Sequence, residues 1–197
     1  MCVNPVLTSK MQSSAMPQYR RPRASGARIF FSVALAQRGS GLLLREIDQL
    51  RAAVVQTRNA RPFGIDAFVV LPDHLHTVWT LPPGDSDFSV RWGAIKARFT
   101  RAVKTRETVG CNPTLQRSRS KIAKGDGGIW QRRFWEHHIR DEADFGVHVK
   151  YCWQDPVKHG LVARAADWPY SSIHRDIRLG LVGLEWAGSE IEGAFGE

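Results

Sequence analysis

Two strand-like runs joined by a very short connection constrain the fold of this chain more than any other feature. The runs "FGIDAFVVLP" (63–72) and "HLHTVWTLP" (74–82) are rich in β-branched and aromatic residues, and Pro72-Asp73 lies at their junction. Proline and aspartate favour a turn, and a turn this tight brings the second strand back beside the first. The two runs therefore predict an antiparallel hairpin.

The second run carries two histidines one residue apart. Alternate side chains of a strand share a face, so His74 and His76 would point the same way, with Leu75 on the other side. Histidine is the commonest metal ligand, but it is also a common polar residue of sheets. The pair alone leaves both readings open, and a metal site needs a third ligand from elsewhere in the chain.

Hydrophobic periodicity predicts the remaining elements. These are a strand over 27–36, a helix between 41 and 62, an amphipathic helix over 85–104, an aromatic strand over 128–140 and a helix over 141–155 that ends at Pro156. The order strand, helix, strand, strand, helix, strand, helix predicts an α+β fold: a ferredoxin-like antiparallel sheet with helices packed on one face.

Length and composition favour one domain with extensions at both ends. The chain has 197 residues, of which 43% are hydrophobic, enough for a substantial core. We expect a disordered N-terminal extension over residues 1–18, the folded domain over 19–180 and a C-terminal tail over 181–197. Between 105 and 128 the periodicity vanishes and basic residues dominate, which predicts a basic loop within the domain.

The charge balance points to an anionic partner. Lys and Arg number 28 against 19 Asp and Glu, a formal charge of +9, which favours nucleic acid first and an anionic membrane second. The three cysteines have no CxxC spacing, so neither a zinc cage nor a disulfide framework is indicated. Without a membrane-length apolar run or a signal peptide pattern, we expect a cytoplasmic protein with no membrane partner.

The third predicted helix carries a tyrosine and a carboxylate one turn apart. Tyr151 and Asp155 are four positions apart and therefore share a helix face. If this helix packs beside the histidine strand, Asp155 would join His74 and His76 as a metal ligand, and Tyr151 would be a nucleophile for phosphoryl transfer.

The chain contains two other tyrosines. Tyr19 lies in the basic N-terminal segment, where a structural role or a contact to DNA is expected. Tyr170 lies in "DWPYSS", where its spacing makes it a rival nucleophile, and packing of the C-terminal segment is its expected role. A buried helix tyrosine with a structural role is the alternative for Tyr151.

These segments together resemble the REP-associated tyrosine transposases, relatives of the single-strand transposases of insertion sequences within the HUH endonuclease superfamily. The resemblance covers nearly everything after residue 18, and its most specific blocks are the histidine segment, "IWQRRFWEH" (129–137) and "PVKHGLV" (156–162). It implies a histidine-hydrophobic-histidine site at 74–76, the nucleophile at Tyr151 and Mg²⁺ or Mn²⁺ as the cofactor. The family usually has Asn at the position of Asp155, and a carboxylate there should preserve or tighten binding of these cations.

The resemblance also implies an activity. We expect a metal-dependent endonuclease and strand transferase, a tyrosine transposase that nicks and rejoins single-stranded DNA at palindromic hairpins of REP type through a 5′-phosphotyrosine intermediate. The partner would be hairpin DNA in the nucleoid, and we favour a monomer over a dimer. Two alternatives stay open: a non-catalytic protein that binds hairpin DNA, and a zinc hydrolase built on the histidine pair.

Basic side chains in three segments are predicted to contact DNA, with ordinary solvated charge as the alternative. They are Arg20, Arg21, Arg23, Arg117, Arg119, Lys121, Lys124, Arg132 and Arg133.

Overall fold

The described part of the chain forms a four-stranded sheet flanked by helices. The computed structural model describes residues 25–110, 128–186, 188 and 195, with the backbone alone for 107–110. The strands are β1 (Arg28–Ala34), β2 (Gly64–Val70), β3 (His74–Thr80) and β4 (Trp135–His138), and the helices are α1 (Leu42–Arg45), α2 (Ile47–Ala60), α3 (Phe88–Gly110), α4 (Glu142–Lys158) and α5 (Ile173–Arg178).

The strand order is β2-β3-β1-β4, and every neighbouring pair is antiparallel. The predicted hairpin is present, because β2 and β3 pair directly and the backbone N–H of Leu71 donates to the carbonyl of His74 at 2.9 Å across the turn. This order is that of a ferredoxin-like sheet, so the predicted α+β class is confirmed. The histidine strand β3 lies in the interior of the sheet between β2 and β1.

Helices cover both faces of the sheet, which corrects the expectation of a single covered face. On one face, α2 and α3 pack against Phe31 and Trp79, whereas on the other α4 packs against Phe30 and Val78. The signal is visible in β1, "RIFFSVA", where five consecutive residues are buried. Strands buried on both faces lack the polar alternation of strands with one exposed face.

Three predicted boundaries differ in the structure. Helix α3 continues to Gly110 rather than ending at 104, so the expected basic loop starts later, and residues 111–127 lie outside the described ranges. Helix α4 passes through Pro156 and ends at Lys158, because a proline near a helix end removes only one backbone hydrogen bond. The aromatic strand is shorter than predicted, with an isolated bridge at Trp130 and regular pairing only in β4.

Over the described residues, none of the helices combines the length and apolar character that crossing a bilayer requires.

Candidate active site

The four residues singled out in the sequence come together on one face of the sheet. His74 and His76 of β3 and Tyr151 and Asp155 of α4 are all at most 5% exposed. The Asp155 carboxylate lies 3.4 Å from Nε2 of His76 and 3.8 Å from Nε2 of His74. The Tyr151 ring meets the His76 ring edge-on, with centroids 5.2 Å apart. The structure thus unites residues that lie about 80 positions apart in the chain.

Local sequence explains how α4 presents its two residues. The side chain of Asp141 caps the helix by accepting from the backbone N–H of Asp144 at 2.8 Å. Cys152 is fully buried against the sheet, and burial, reinforced by the charge of Asp155, raises the pKa of its thiol well above the usual value. Cys152 therefore stays a neutral packing group that turns Tyr151 and Asp155 towards the histidines.

Each histidine is oriented through its Nδ1 atom. His74 Nδ1 lies 2.6 Å from the carboxylate of Asp73, and His76 Nδ1 lies 2.8 Å from Oγ of Ser32. The Ser32 hydroxyl donates to the backbone carbonyl of Phe195, so it accepts from His76. Because each ring uses its Nδ1–H in one of these hydrogen bonds, the lone pair of the neutral ring is at Nε2. Nε2 is the atom that faces Asp155.

The buried polar atoms at this centre suit a cation. Among the described residues, Nε2 of His74 and both carboxylate oxygens of Asp155 are buried without a hydrogen-bond partner. Unsatisfied buried polar atoms are costly, and they are rare unless a ligand, a water or an ion satisfies them. Burial opposes protonation of His74, but the carboxylates of Asp155 and Asp73 outweigh it and raise the pKa of this histidine.

His159 is a fifth residue of this centre, and the sequence reasoning missed it. Its Nε2 lies 3.5 Å from Oδ1 of Asp155, and its ring centroid lies 5.0 Å from that of His74. Potential ligand atoms of His74, Asp155 and His159 all lie within 4.8 Å of one another. The signal was present, because His159 follows Asp155 by the same helical turn that separates Asp155 from Tyr151.

Two further side chains surround the phenol of Tyr151. The ammonium group of Lys158 donates to the Tyr151 hydroxyl at 3.3 Å. The ring of Phe195 stacks on the Tyr151 ring with centroids 3.7 Å apart and planes 15° apart. Phe195 lies in the predicted C-terminal tail, so part of that tail belongs to the site.

A second histidine and carboxylate group, His137, Asp144 and His148, has a different chemistry. Asp144 already accepts from His137 Nε2 at 2.9 Å and from the backbone and Nε of Arg140 at 3.0 and 3.1 Å. Burial alone would raise the pKa of Asp144, but these donors hold it well below its usual range. A permanent guanidinium charge disfavours a cation, so this group anchors the start of α4.

The remaining candidate residues fall into two groups. Arg132 and Arg133 are exposed, between Trp130 and β4. The rival Tyr170 lies at the outer edge of β2, where its carbonyl accepts from Val70 N–H, and so it belongs to the covering of that edge. Outside the described residues lie Tyr19, Arg20, Arg21, Arg23, Arg117, Arg119, Lys121 and Lys124.

Fold and site together define a ferredoxin-like protein in which a tyrosine and a carboxylate on one helix face two histidines on the sheet. No family model matches the sequence. The chain is 43% identical over 182 residues to the REP-associated tyrosine transposase of Escherichia coli K12, covering 92% of this chain and 98% of the relative. It is 39% identical over 174 residues to a putative REP-associated tyrosine transposase of Haemophilus influenzae KW20/Rd, covering 88% and 95%.

A solved structure shows the same similarity in three dimensions. The structure of a REP-associated tyrosine transposase bound to a REP hairpin matches this chain with a TM-score of 0.76 and 42% sequence identity, covering 92% of this chain and 98% of the other. This chain belongs to the REP-associated tyrosine transposase family. The resemblance predicted from the sequence is confirmed.

Proposed function

We propose that this transposase is a metal-dependent endonuclease and strand transferase that cuts and rejoins single-stranded DNA at palindromic hairpins of REP type. The observation that carries the proposal is the contact between Tyr151 and His76 beside the buried carboxylate of Asp155. The hairpin as substrate is supported by the related transposase that was solved bound to a REP hairpin.

His74, His76, Asp155 and His159 would hold the cation. The carboxylate of Asp155 supplies the hard oxygen ligand that Mg²⁺ and Mn²⁺ prefer. Bound there, it would supply Lewis-acid polarisation of a phosphate oxygen. The observation that supports this cofactor is a set of buried polar atoms without hydrogen-bond partners among the described residues, namely Nε2 of His74 and both carboxylate oxygens of Asp155.

In the proposed reaction, Tyr151 is the nucleophile. A phenol with a pKa near 10 is a weak nucleophile in neutral water, and the ammonium group of Lys158 stabilises the developing phenolate. The Tyr151 hydroxyl gives its proton to solvent water and its oxygen attacks phosphorus. A bond from phosphorus to the tyrosine oxygen forms, the bond to the 3′-oxygen breaks, and that oxygen takes up a proton from solvent water.

The resulting 5′-phosphotyrosine diester conserves the energy of the cleaved bond. A 3′-hydroxyl can therefore attack it and rejoin a strand without ATP.

Because Tyr151 and the histidine pair belong to the same chain in this structure, we propose that a monomer forms the complete centre. Size-exclusion chromatography combined with the activity assay below would test this.

The covalent adduct is the test. The full chain is incubated with Mn²⁺ or Mg²⁺ and a hairpin oligonucleotide labelled at its 3′ end, because that fragment stays on the tyrosine, and is then run on a denaturing gel. We expect an adduct that is lost with EDTA and in Tyr151→Phe. The matched control Tyr170→Phe should retain it.

An adduct in Tyr151→Phe, or no adduct with either metal, would refute the proposal. Hairpin binding without an adduct would instead support a non-catalytic DNA-binding protein.

A further inference from the structure

A cavity of about 240 Å³ is lined by the histidine pair and extends across β1 towards β4. On one side of β1, Ser32 pairs with His76 and Ala34 pairs with His74. On the other side, regular pairing with β4 ends opposite Ser32. It resumes only at the isolated bridge between Leu35 and Trp130. Residues 131–134 leave the sheet between these two points, and the cavity fills the space they open.

The far wall of this cavity is held in place by hydrogen bonds. The backbone N–H of Gln131 donates to the carbonyl of Ala34 at 2.9 Å, and Ala36 N–H donates to the carbonyl of Ile129 at 2.8 Å. The Lys96 ammonium donates to the Gln131 carbonyl at 2.9 Å. The wall is therefore formed before any ligand arrives, which reduces the entropic cost of binding.

The lining combines cationic, amide and aromatic groups. Besides the histidine pair, it includes Arg38, Gln131, Arg133, Phe134 and Trp135. A guanidinium matches the oxygens of a phosphate, an aromatic ring stacks on an unpaired base, and a glutamine amide can hydrogen-bond a base edge. Arg132, the neighbour of Arg133 in sequence, does not line the cavity.

Arg38 connects this cavity to the histidine centre. Its Nε lies 3.4 Å from the carboxylate of Asp73, whose other oxygen orients His74. The Arg38 side chain is 49% exposed, so a ligand can reach it. A phosphate held by Arg38 would therefore lie close to the position of the reacting phosphate.

We propose that this cavity binds one unpaired nucleotide next to the scissile phosphate, with the base beside Gln131 and the aromatic rings and a phosphate between Arg38 and Arg133. The inference rests on the proposed DNA substrate and adds the determinant that selects a single nucleotide. At about 240 Å³ the cavity is smaller than the roughly 300–1,000 Å³ of sites for drug-sized ligands. The ligand it can take is therefore small, and the cationic, amide and aromatic lining favours a nucleotide.

The test measures binding alone, so that it does not depend on the chemistry. The full chain carrying Tyr151→Phe is titrated, without metal, into fluorescein-labelled hairpin oligonucleotides with a single-stranded arm. In one oligonucleotide series, each arm phosphate in turn is replaced by a neutral methylphosphonate. In a second series, each arm base in turn is removed. Fluorescence anisotropy gives the dissociation constants.

We expect one methylphosphonate position to weaken binding about tenfold, the loss of one charge-assisted contact. In an Arg133→Ala background that position should cost clearly less than tenfold, because one of the two proposed partners of the phosphate is already gone and only Arg38 is left. In the matched Arg132→Ala background, the tenfold penalty should persist. Removal of the base at the adjoining nucleotide should also weaken binding about tenfold, and this penalty should shrink in Gln131→Ala.

Equal behaviour of the Arg133 and Arg132 variants would overturn the cavity assignment, as would the lack of any sensitive position. The result is independent of the adduct assay. An adduct without this coupling refutes the nucleotide site alone, whereas coupling without an adduct refutes the proposed chemistry and leaves the nucleotide site standing. Because Arg132 and Arg133 are both exposed, their replacement should leave the fold intact. Melting temperatures equal to that of the parent protein will show that both variants fold.

Discussion

At the scale of single residues, we predict that the Nδ1 contacts of the two histidines determine how well the site can hold a cation. Ser32 accepts from His76 at 2.8 Å and so leaves Nε2 of that ring as the proposed ligand atom. We predict that Ser32→Ala weakens Mn²⁺ binding about 10-fold, the lower end of the effect seen when groups that orient metal ligands are removed. Isothermal titration calorimetry would measure the change.

Ser32→Thr is the matched control, because it keeps the hydroxyl at a strand position that tolerates β-branched residues. It should bind Mn²⁺ within a few-fold of the wild-type protein. Equal affinity of the Ala variant and the wild type would show that the Ser32 hydroxyl does not orient His76.

The raised pKa of His74 predicts how stability changes with pH. Burial opposes the charge on His74, but Asp155 and Asp73 favour it more strongly in the folded state. A raised pKa gives stability that is fully present below the unfolded value of about 6.5 and is lost as pH rises through the folded value. In metal-free protein, the stability advantage of wild type over His74→Gln should therefore be larger at pH 5.5 than at pH 8.5.

Added Mn²⁺ should reverse this trend, because a cation binds the neutral imidazole and competes with the proton. Mn²⁺ should raise the melting temperature of the wild type at pH 8.5 and have little effect at pH 5.5. His74→Gln should respond weakly at both values. A stability difference that grows with pH in metal-free protein would contradict the raised pKa.

At the scale of secondary-structure elements, α4 is the part on which the site depends most. Its cap, Asp141, accepts from Asp144 N–H at 2.8 Å. We predict that Asp141→Ala lowers the free energy of unfolding by about 1 kcal/mol, the usual cost of losing such a cap. Asp141→Asn keeps the acceptor oxygen and should stay within a few tenths of a kcal/mol of wild type. Urea denaturation would separate the two outcomes.

Local pattern located most of the elements because it reports on neighbours in sequence, although it missed helix α5 and the division between α1 and α2. Alternation placed His74 and His76 on one face, and a spacing of four placed Tyr151 and Asp155 on one side of α4. Which face of the sheet α4 covers depends on long-range contacts. The only indication of it in the sequence is that β1, "RIFFSVA", lacks regular polar alternation. His159 was predictable in principle, since one more helical turn places it beside Asp155.

At the scale of the whole molecule, the centre is assembled from β1, β3, α4 and the C-terminal segment. Ser32, His76, Tyr151 and Phe195 meet although they span more than 160 positions. Nothing in the local sequence around Phe195 indicates this contact, because an isolated aromatic residue near the end of a chain has no periodicity to interpret. Only the folded structure shows that part of the predicted tail lies on Tyr151, the proposed nucleophile.

The stacking of Phe195 on Tyr151 predicts slower chemistry in the wild-type protein than in a variant without that ring. Tyr151 is only 4% exposed, and the Phe195 ring covers one face of it at 3.7 Å. We predict that DNA displaces Phe195 from this contact when a phosphate reaches the phenol oxygen. Because burial and stacking of a phenylalanine are worth roughly 2–4 kcal/mol together, Phe195→Ala should speed the formation of the covalent adduct at least about tenfold.

Trp186→Ala is the control for a general loosening of the C-terminal segment. Trp186 packs edge-on against Trp153 of α4, the helix that carries Tyr151, with ring centroids 5.5 Å apart. Trp186 does not stack on Tyr151 itself. Both variants should melt at a lower temperature than wild type, because each loses a packed aromatic ring. Only Phe195→Ala should react faster if the ring itself shields the nucleophile. Equal acceleration in both variants would assign the effect to loosening of the segment, and slower reaction in Phe195→Ala would show that the ring positions Tyr151 for attack.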